Sequence, residues 1–399
     1  LAAALILLVG AGLLGRSLLR VLSTDPGFHT DHVLTLNLAL PDLGDNAPDT
    51  KVRRVAFLSE LFRRLRELPG VEQVGGTGGL PLTDSLANGT YAVMSSHDPL
   101  PKTEAEWEAL FRRTERTGNA LYCVSSEGYF ASLGIPLTEG RMFEDRDTAS
   151  APHVALVSKS LAQEKWPNQD ALGRQIEFGN MDGDPTLLTV IGVVGDVHST
   201  SLEQPPIPTI YTNYRQRPQS TRDFTVVLRT AADPASLIRP AQEIVRDLDP
   251  TIPPRLSTFS QVFSASLESR RFTTLLMSVF SSTALLLAMA GIYGVISYSV
   301  AVRTREFGVR MALGADTGNV LKLVLTEGMR PVLVGIALGT GGGLLLARTM
   351  VSLLFGVSST DPLTFATVAL ALGAVAFAAC YIPARRATRV DPLVALRYE

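Results

Sequence analysis

A soluble chain of 399 residues would hold two or three domains, but 19% charged residues and a mean hydropathy of +0.20 describe a membrane protein with a large polar part. The formal net charge of −2 says nothing about nucleic acid, and no long basic run points to it, so no nucleic-acid partner is expected. Two cysteines, Cys123 in the polar region and Cys380 inside the last apolar run, imply no disulfide framework.

Residues 1–22 open inside an apolar run and read as transmembrane helix 1 with a truncated start. No positively charged leader precedes the run and no small-residue cleavage site lies near Arg16–Arg20, so a signal peptide is the weaker reading. Because the first residue is Leu1, the chain is expected to be a fragment of a longer protein. Gly10, Gly12 and Gly15 spell G-x-G-x-x-G, and with Arg16 and Ser17 they come close to a phosphate-binding loop. That loop needs a lysine to reach the terminal phosphates, and no Gly-Lys pair occurs anywhere in the chain. A dinucleotide fold needs a second strand ending in an acid about 20 residues on. Asp31 stands near that distance, but Asp25-Pro26-Gly27 interrupts the segment. The glycines are read as close-packing positions in a membrane helix.

Residues 23–268 are polar and mixed and hold no span. Val33–Leu40 alternates like a strand, Thr50–Leu68 carries Val55, Leu58, Leu61, Phe62 and Leu65 at helical spacing, and Val71–Val74 begins another strand. The same order returns late, with Asp223–Arg229, Pro234–Leu248 and Arg255–Thr258. Two β-α-β units flanking the region predict one α+β layer. Between them, Ala120–Ser125, His153–Val157, Gln175–Phe178, Thr189–Val194 and Pro208–Tyr211 read as short strands, forming an inserted β-rich subdomain over about 96–212. His29 and His32 stand i,i+3 with only Asp25 and Asp31 nearby, and Glu144, Asp145 and Asp147 crowd one turn. No H-E-x-x-H, cysteine pair or G-x-S-x-G occurs. The histidines and the acids read as exposed loops. No catalytic residue, metal or cofactor is expected.

The C-terminal third alternates long apolar runs with short charged ones. Arg271 to Arg303 encloses 31 residues without a charge, Arg330 to Arg348 encloses 17, and Asp361 to Arg385 encloses 23. About 20 apolar residues of helix cross a bilayer, so 269–302, 319–347 and 363–383 are expected to be spans 2, 3 and 4. Residues 348–362 form the short loop between the last two, and 384–399 a tail. Span 3 contains Pro331, expected to kink it, and Gly335, Gly339 and Gly343, a small-xxx-small series suited to helix packing. None of the three runs carries a mid-membrane charge, which argues against a proton-coupled transporter. Arg303, Arg305, Arg310 and Lys322 lie between spans 2 and 3, and Arg385, Arg386, Arg389 and Arg397 follow span 4, whereas the loop 348–362 is poor in basic residues. By the positive-inside rule the former segments are cytoplasmic, and 23–268 is extracytoplasmic.

Residues 303–318 are the segment around which the rest is organised. On a helix Arg303, Glu306 and Arg310 share a face, with Glu306 four residues ahead of Arg310 in the favourable order. Gly314 suits a left-handed cap and Asp316 the N-cap of the next helix. Arginines alone would satisfy a topology signal. Glu306, Gly308 and Gly314 are not required by it.

The run R-T-R-E-F-G-V-R-M-A-L-G-A of 303–315 resembles the permeases of the FtsX/MacB-type ABC systems. So do Glu327-Gly328, Leu354-Phe355-Gly356, Asp361-Pro362, Pro383-Ala384-Arg385-Arg386-Ala387 and Asp391-Pro392-Leu393. In the polar region, Gly134-Ile135-Pro136, Gly140-Arg141, Trp166-Pro167, Leu172-Gly173-Arg174 and the run 190–197 are similar to the periplasmic core of the same family. The resemblance implies a non-catalytic permease with four transmembrane helices and a large extracytoplasmic α+β domain between spans 1 and 2. It also implies a bacterial inner-membrane location, a separate ABC ATPase as partner, and a second permease unit in a dimer or a duplicated chain, all embedded in membrane lipid. Arg303, Arg305, Glu306, Gly308, Arg310 and Gly314 are then the expected ATPase-docking residues. The rival reading is a membrane-anchored extracytoplasmic sensor or scaffold that never couples to ATP.

Overall fold

The computed structural model describes residues 1–41, 48–83, 86–94, 101, 103–178, 181–312, 316–349, 351 and 354–387. The chain divides into two units, one of Leu1–Thr24 with Glu268–Glu399 and the other of Asp25–Leu267.

Among the described residues of the first unit, four helices are long and apolar enough to cross a membrane. They are α1 (Ala2–Leu22), α8 (Glu268–Val302), α10 (Thr317–Thr349) and α11 (Pro362–Ala387), with the short α9 (Thr304–Ala312) between α8 and α10. The large domain lies between the first and second spans and is extracytoplasmic, so α9 is on the other side of the membrane. At 1.5 Å per residue the 35 residues of α8 reach about 52 Å, well beyond a hydrocarbon core of about 30 Å. Helix α10 stays helical through Pro331 and carries its charged first turns, with Lys322, Glu327 and Arg330, on the cytoplasmic side. Leu5, Val9 and Leu13 of α1 are buried with Ala347 and Leu372 in the middle of the bundle.

The second unit is built on one continuous sheet. Strands β1 (Val33–Ala39), β2 (Val71–Thr77), β10 (Asp223–Thr230) and β11 (Arg255–Thr258) form its outer part in the antiparallel order β11-β1-β10-β2. Helix α2 (Pro48–Arg66) joins β1 to β2, and α6 (Ile238–Leu248) joins β10 to β11. The two β-α-β units therefore interleave, each leaving room for a strand of the other, as in a split β-α-β fold. Leu58, Leu61, Phe62 and Leu65 of α2 and Ala241 and Val245 of α6 are buried in the same core as Leu34, Leu36, Val226 and Leu228. Each such leucine, valine or phenylalanine side chain contributes about 1.5–3 kcal/mol by leaving water.

Between β2 and β10 come β3 (Ala87–Met94), α3 (Glu104–Phe111), β4 (Thr117–Ser125), α4 (Gly128–Leu133), β5 (Leu137–Gly140), β6 (Val154–Ser158), α5 (Lys159–Lys165), β7 (Gln175–Glu177), β8 (Leu188–Val194) and β9 (Thr209–Asn213). The pairings β4-β3-β7-β8-β6-β9 return to β4 through a parallel β4–β9 ladder, which closes a ring of six strands. The pairing of Thr77 with Ser125 joins the ring to the outer part. The ring begins at Ala87, ahead of the boundary near 96 that the sequence suggests. Its first residues Ala87, Asn88 and Gly89 pair with Tyr122, Leu121 and Ala120. Helix α7 (Phe259–Ser266) ends the unit behind a capping box of Thr258 and Gln261.

Candidate functional site

The cytoplasmic end of the bundle is assembled around α9. The hydrogen-bond ladder runs on from α8 across Arg303, whose N–H donates to Ser299 O at 3.2 Å and whose carbonyl accepts from Phe307 N–H at 3.0 Å. Helix α9 is thus a turned continuation of span 2 rather than a loop. Phe307, 2% exposed, is buried with Ile296 of α8, Val320 and Val324 of α10, and Cys380 and Ala384 of α11. This ring ties α9 to three spans at once.

Glu306 and Arg310 remain exposed and pair with each other one turn apart. Arg303 reaches across to Glu327 of α10 at 2.7 Å. The i,i+3 spacing of Glu327 and Arg330 does not signal this pair, because the partners are 24 residues apart. Exposed pairs of this kind contribute about 0–1 kcal/mol, so they orient α9 more than they stabilise it. Arg305 and Gly308 lie on α9, with the Arg305 side chain outside the described residues, and Gly314 lies outside them altogether. Asp316 precedes α10, and its carbonyl accepts from Asn319 N–H at 3.0 Å.

Phe307 is the residue that the charged pattern hides. Its available signal is the i,i+4 apolar pair with Met311. Gly328 is a second: a Cβ there would stand 2.9 Å from Ile296 Cδ1 and 3.1 Å from Cys380 Sγ, so the glycine gives the side chains of α8 and α11 room against α10.

Higher in the bundle, α10 meets α1 through its glycines. A Cβ on Gly335 would lie 2.8 Å from Leu1 Cβ, and one on Gly339 would lie 2.9 Å from Leu5 Cβ and 3.1 Å from the Ala2 backbone. Gly343 faces Phe365 of α11 instead, at 3.3 Å.

At the outer end, the residues that mimic a phosphate-binding loop form a polar clasp. Arg16 pairs with Asp361, whose carboxylate also accepts from Thr364 N–H at 2.9 Å and so caps α11. Ser17 Oγ accepts from Phe355 N–H at 2.8 Å. Gly356, at a φ of +63°, sits where a Cβ would meet Arg20 Cγ at 2.7 Å. A left-handed backbone against a neighbouring side chain is a glycine position on both counts. Gly10 and Gly15 face open space, whereas a Cβ on Gly12 would stand 2.9 Å from Thr364 Cγ2.

In the extracytoplasmic unit the acids of one turn are each held by an arginine. Asp147 is bidentate with Arg141 at 2.8 Å, Glu144 pairs with Arg146 at 2.8 Å, and Asp145 pairs with Arg215 at 2.9 Å. Among the described residues no group of three or more His, Cys, Asp or Glu is placed to hold a metal ion. Cys123 is fully enclosed, and burial pushes its thiol up to about 12, out of the range of a nucleophile.

A model of the MacB-like periplasmic core domain matches residues 7–244, and one of the FtsX-like permease C-terminal region matches residues 278–392. Among curated proteins the chain is similar to "Macrolide export ATP-binding/permease protein MacB" of Marinobacter nauticus, 30% identical over 276 residues, which is 66% of this chain and 41% of that protein. It is also similar to "Pyoverdine export ATP-binding/permease protein PvdT" of Pseudomonas syringae pv. syringae, 28% identical over 373 residues, 90% of this chain and 50% of that protein. The chain spans half or less of the length of these relatives. The periplasmic region of MacB from Actinobacillus actinomycetemcomitans aligns with a TM-score of 0.38 at 14% identity, over 62% of this chain and 97% of that one. One model takes in more than half of the residues and the other most of the last three spans, so this chain belongs to the FtsX/MacB-type permease family.

Proposed function

We propose that the chain is the permease part of an ABC system in which ATP hydrolysis on a nucleotide-binding partner moves α9, and the bundle carries that movement to the extracytoplasmic domain. The observation that carries this reading is the seating of α9. Its Phe307 is locked among three spans while Glu306 and Arg310 stay exposed on the cytoplasmic side. A helix held in that way moves as a unit with α8, α10 and α11, and its exposed charges give a partner something to grip. The relatives carry ATP-binding and permease functions under one name, so the partner domain is fused or separate. We place the protein in a bacterial inner membrane. The outward apolar face of α8, with Leu275, Val279, Phe280, Leu287 and Val295 exposed, suits lipid or a second permease unit. Export is the proposed use of the movement, in keeping with the export roles in the relatives' names.

The test is co-purification of ATPase activity with the full-length membrane protein in detergent. Activity that accompanies the wild type and is lost with Glu306→Lys and Arg310→Glu supports the docking role. No activity with a folded wild type would turn the reading to an uncoupled sensor or scaffold.

A further inference from the structure

The sheet joins the ring to the outer part of the extracytoplasmic unit where Thr77 pairs with Ser125. A joint of that width would act as a hinge if the backbone ladder were the whole connection. The packing beside it removes that freedom.

Helix α4 of the ring is seated on β2 of the outer part, backbone against backbone. A Cβ on Gly75 would overlap Tyr129 N, and a Cβ on Gly128 would overlap Val74 O. Ser126, just ahead of α4, accepts from Gly76 N–H through its Oγ at 2.8 Å and donates its own N–H to Gly76 O at 2.9 Å. At the other end of the helix Arg229 Nε of β10 donates to Ser132 O at 2.9 Å. Tyr129, Phe130 and Leu133 are buried, with Phe130 edge-on to Tyr211 of β9 at 5.1 Å.

The two parts also share one core. Leu34 and Val226 of the outer part belong to the same buried cluster as Tyr122, Val124, Val157 and Ile210 of the ring. Parts of a chain swing freely when the contact between them is small and polar, and a close-packed apolar core transmits strain instead of yielding to it.

The segment that follows α1 rests on the same helix. His29 N–H donates to Leu133 O at 2.7 Å, and Pro26 O accepts from His198 N–H of the ring at 3.0 Å. A few residues later this segment becomes β1 of the outer part. One stretch of chain therefore holds the ring through α4 and the outer sheet through β1.

We infer that α4 keys the ring to the outer part, so that the extracytoplasmic unit moves as one rigid body and not about the Thr77–Ser125 joint. The rigidity follows from the packing alone. Its consequence rests on the coupled-permease reading: a partner or cargo is acted on by displacement of the whole unit, not by a cleft opening between its parts.

The test is double electron–electron resonance on the full-length protein with its nucleotide-binding partner, in detergent, with Cys123 and Cys380 replaced by serine. Spin labels on Asp233→Cys of the outer part and Gln169→Cys of the ring, both exposed positions, should give one narrow distance peak that a non-hydrolysable ATP analogue does not shift. Gly75→Ala and Gly128→Ala, which push α4 off β2, should broaden the peak or add a second. Gly78→Ala, whose nearest neighbour stands at an ordinary 3.5 Å, should leave it unchanged. A broad, split or nucleotide-shifted peak in wild type overturns the rigid unit, with no variant needed. A peak that stays single and narrow in both Gly75→Ala and Gly128→Ala overturns α4 as the key. Labels on Asp233→Cys and Asp316→Cys report separately on coupling. Their failure to respond to the analogue overturns the coupled-permease reading, while the first pair still decides the rigidity.

Discussion

Phe307 is a core residue inside a segment whose composition announces a surface. Truncating a buried phenylalanine costs about 3–5 kcal/mol through lost contacts and the cavity left behind. Phe307→Ala should therefore loosen the cytoplasmic end of the bundle, where Ile296, Val324 and Cys380 surround the ring. The check is Cys380, which is buried in wild type. Its maleimide labelling in detergent should speed up in the variant. An unchanged rate would show that α9 is not anchored there.

Asp147 makes the same kind of prediction for the extracytoplasmic unit. Burial alone would raise its pKa, but the Arg141 pair and the Glu144 N–H outweigh it, and the carboxyl sits below its ordinary value. A depressed folded pKa contributes stability that is present above the unfolded value near 3.9 and is lost as pH falls through the folded one. Asp147→Asn should lower the melting temperature at neutral pH. The gap to wild type should narrow as pH falls past about 3.9 and close only below the depressed folded value. A gap that persists at low pH would mean that shape, not charge, holds the turn.

At the scale of elements, α1 and α10 approach closely because Gly335 and Gly339 remove the side chains that would hold them apart. Gly339→Leu forces a Cβ against Leu5 and the Ala2 backbone, neither of which can give way without moving α1. Overpacking of this kind costs about 1–3 kcal/mol, and the variant should show a lower unfolding midpoint in detergent than Gly341→Leu, where nothing lies within 4 Å. Equal midpoints would sink the packing role. The outer clasp is an element-scale device as well. Asp361 both caps α11 and pairs with Arg16, so Asp361→Ala should destabilise more than Arg16→Ala in the same denaturation measurement. The cap is worth about 0.5–2 kcal/mol and the exposed pair less.

For the whole molecule the topology is the decisive expectation. A cysteine introduced at exposed Asp233, in a background where Cys123 and Cys380 are replaced by serine, should react with a membrane-impermeant maleimide in intact spheroplasts. One at exposed Asp316 should react only after permeabilisation. The reverse pattern would invert the membrane assignment and place α9 outside.

Sequence alone determined the spans, the side of the membrane and the flanking β-α-β units, and the reason in each case is local. A bilayer demands about 20 apolar residues in a row, arginines collect on one side, and a buried helix face repeats every 3.6 residues, as Leu58, Leu61, Phe62 and Leu65 do. Only tertiary structure decided what depends on partners far apart in the chain. Strand β3 is not among the strands the sequence names, and it is defined by its pairing with β4 and β7. The ring closes by pairing Leu121 with Thr209, and no pattern within either strand names the other. Arg16 finds Asp361 across 345 residues, which turns an apparent nucleotide motif into a helix clasp. Phe307 reads as part of a charged surface until three spans converge on it. Periodicity reports which face of an element is buried. What lies against that face is set by the folded chain.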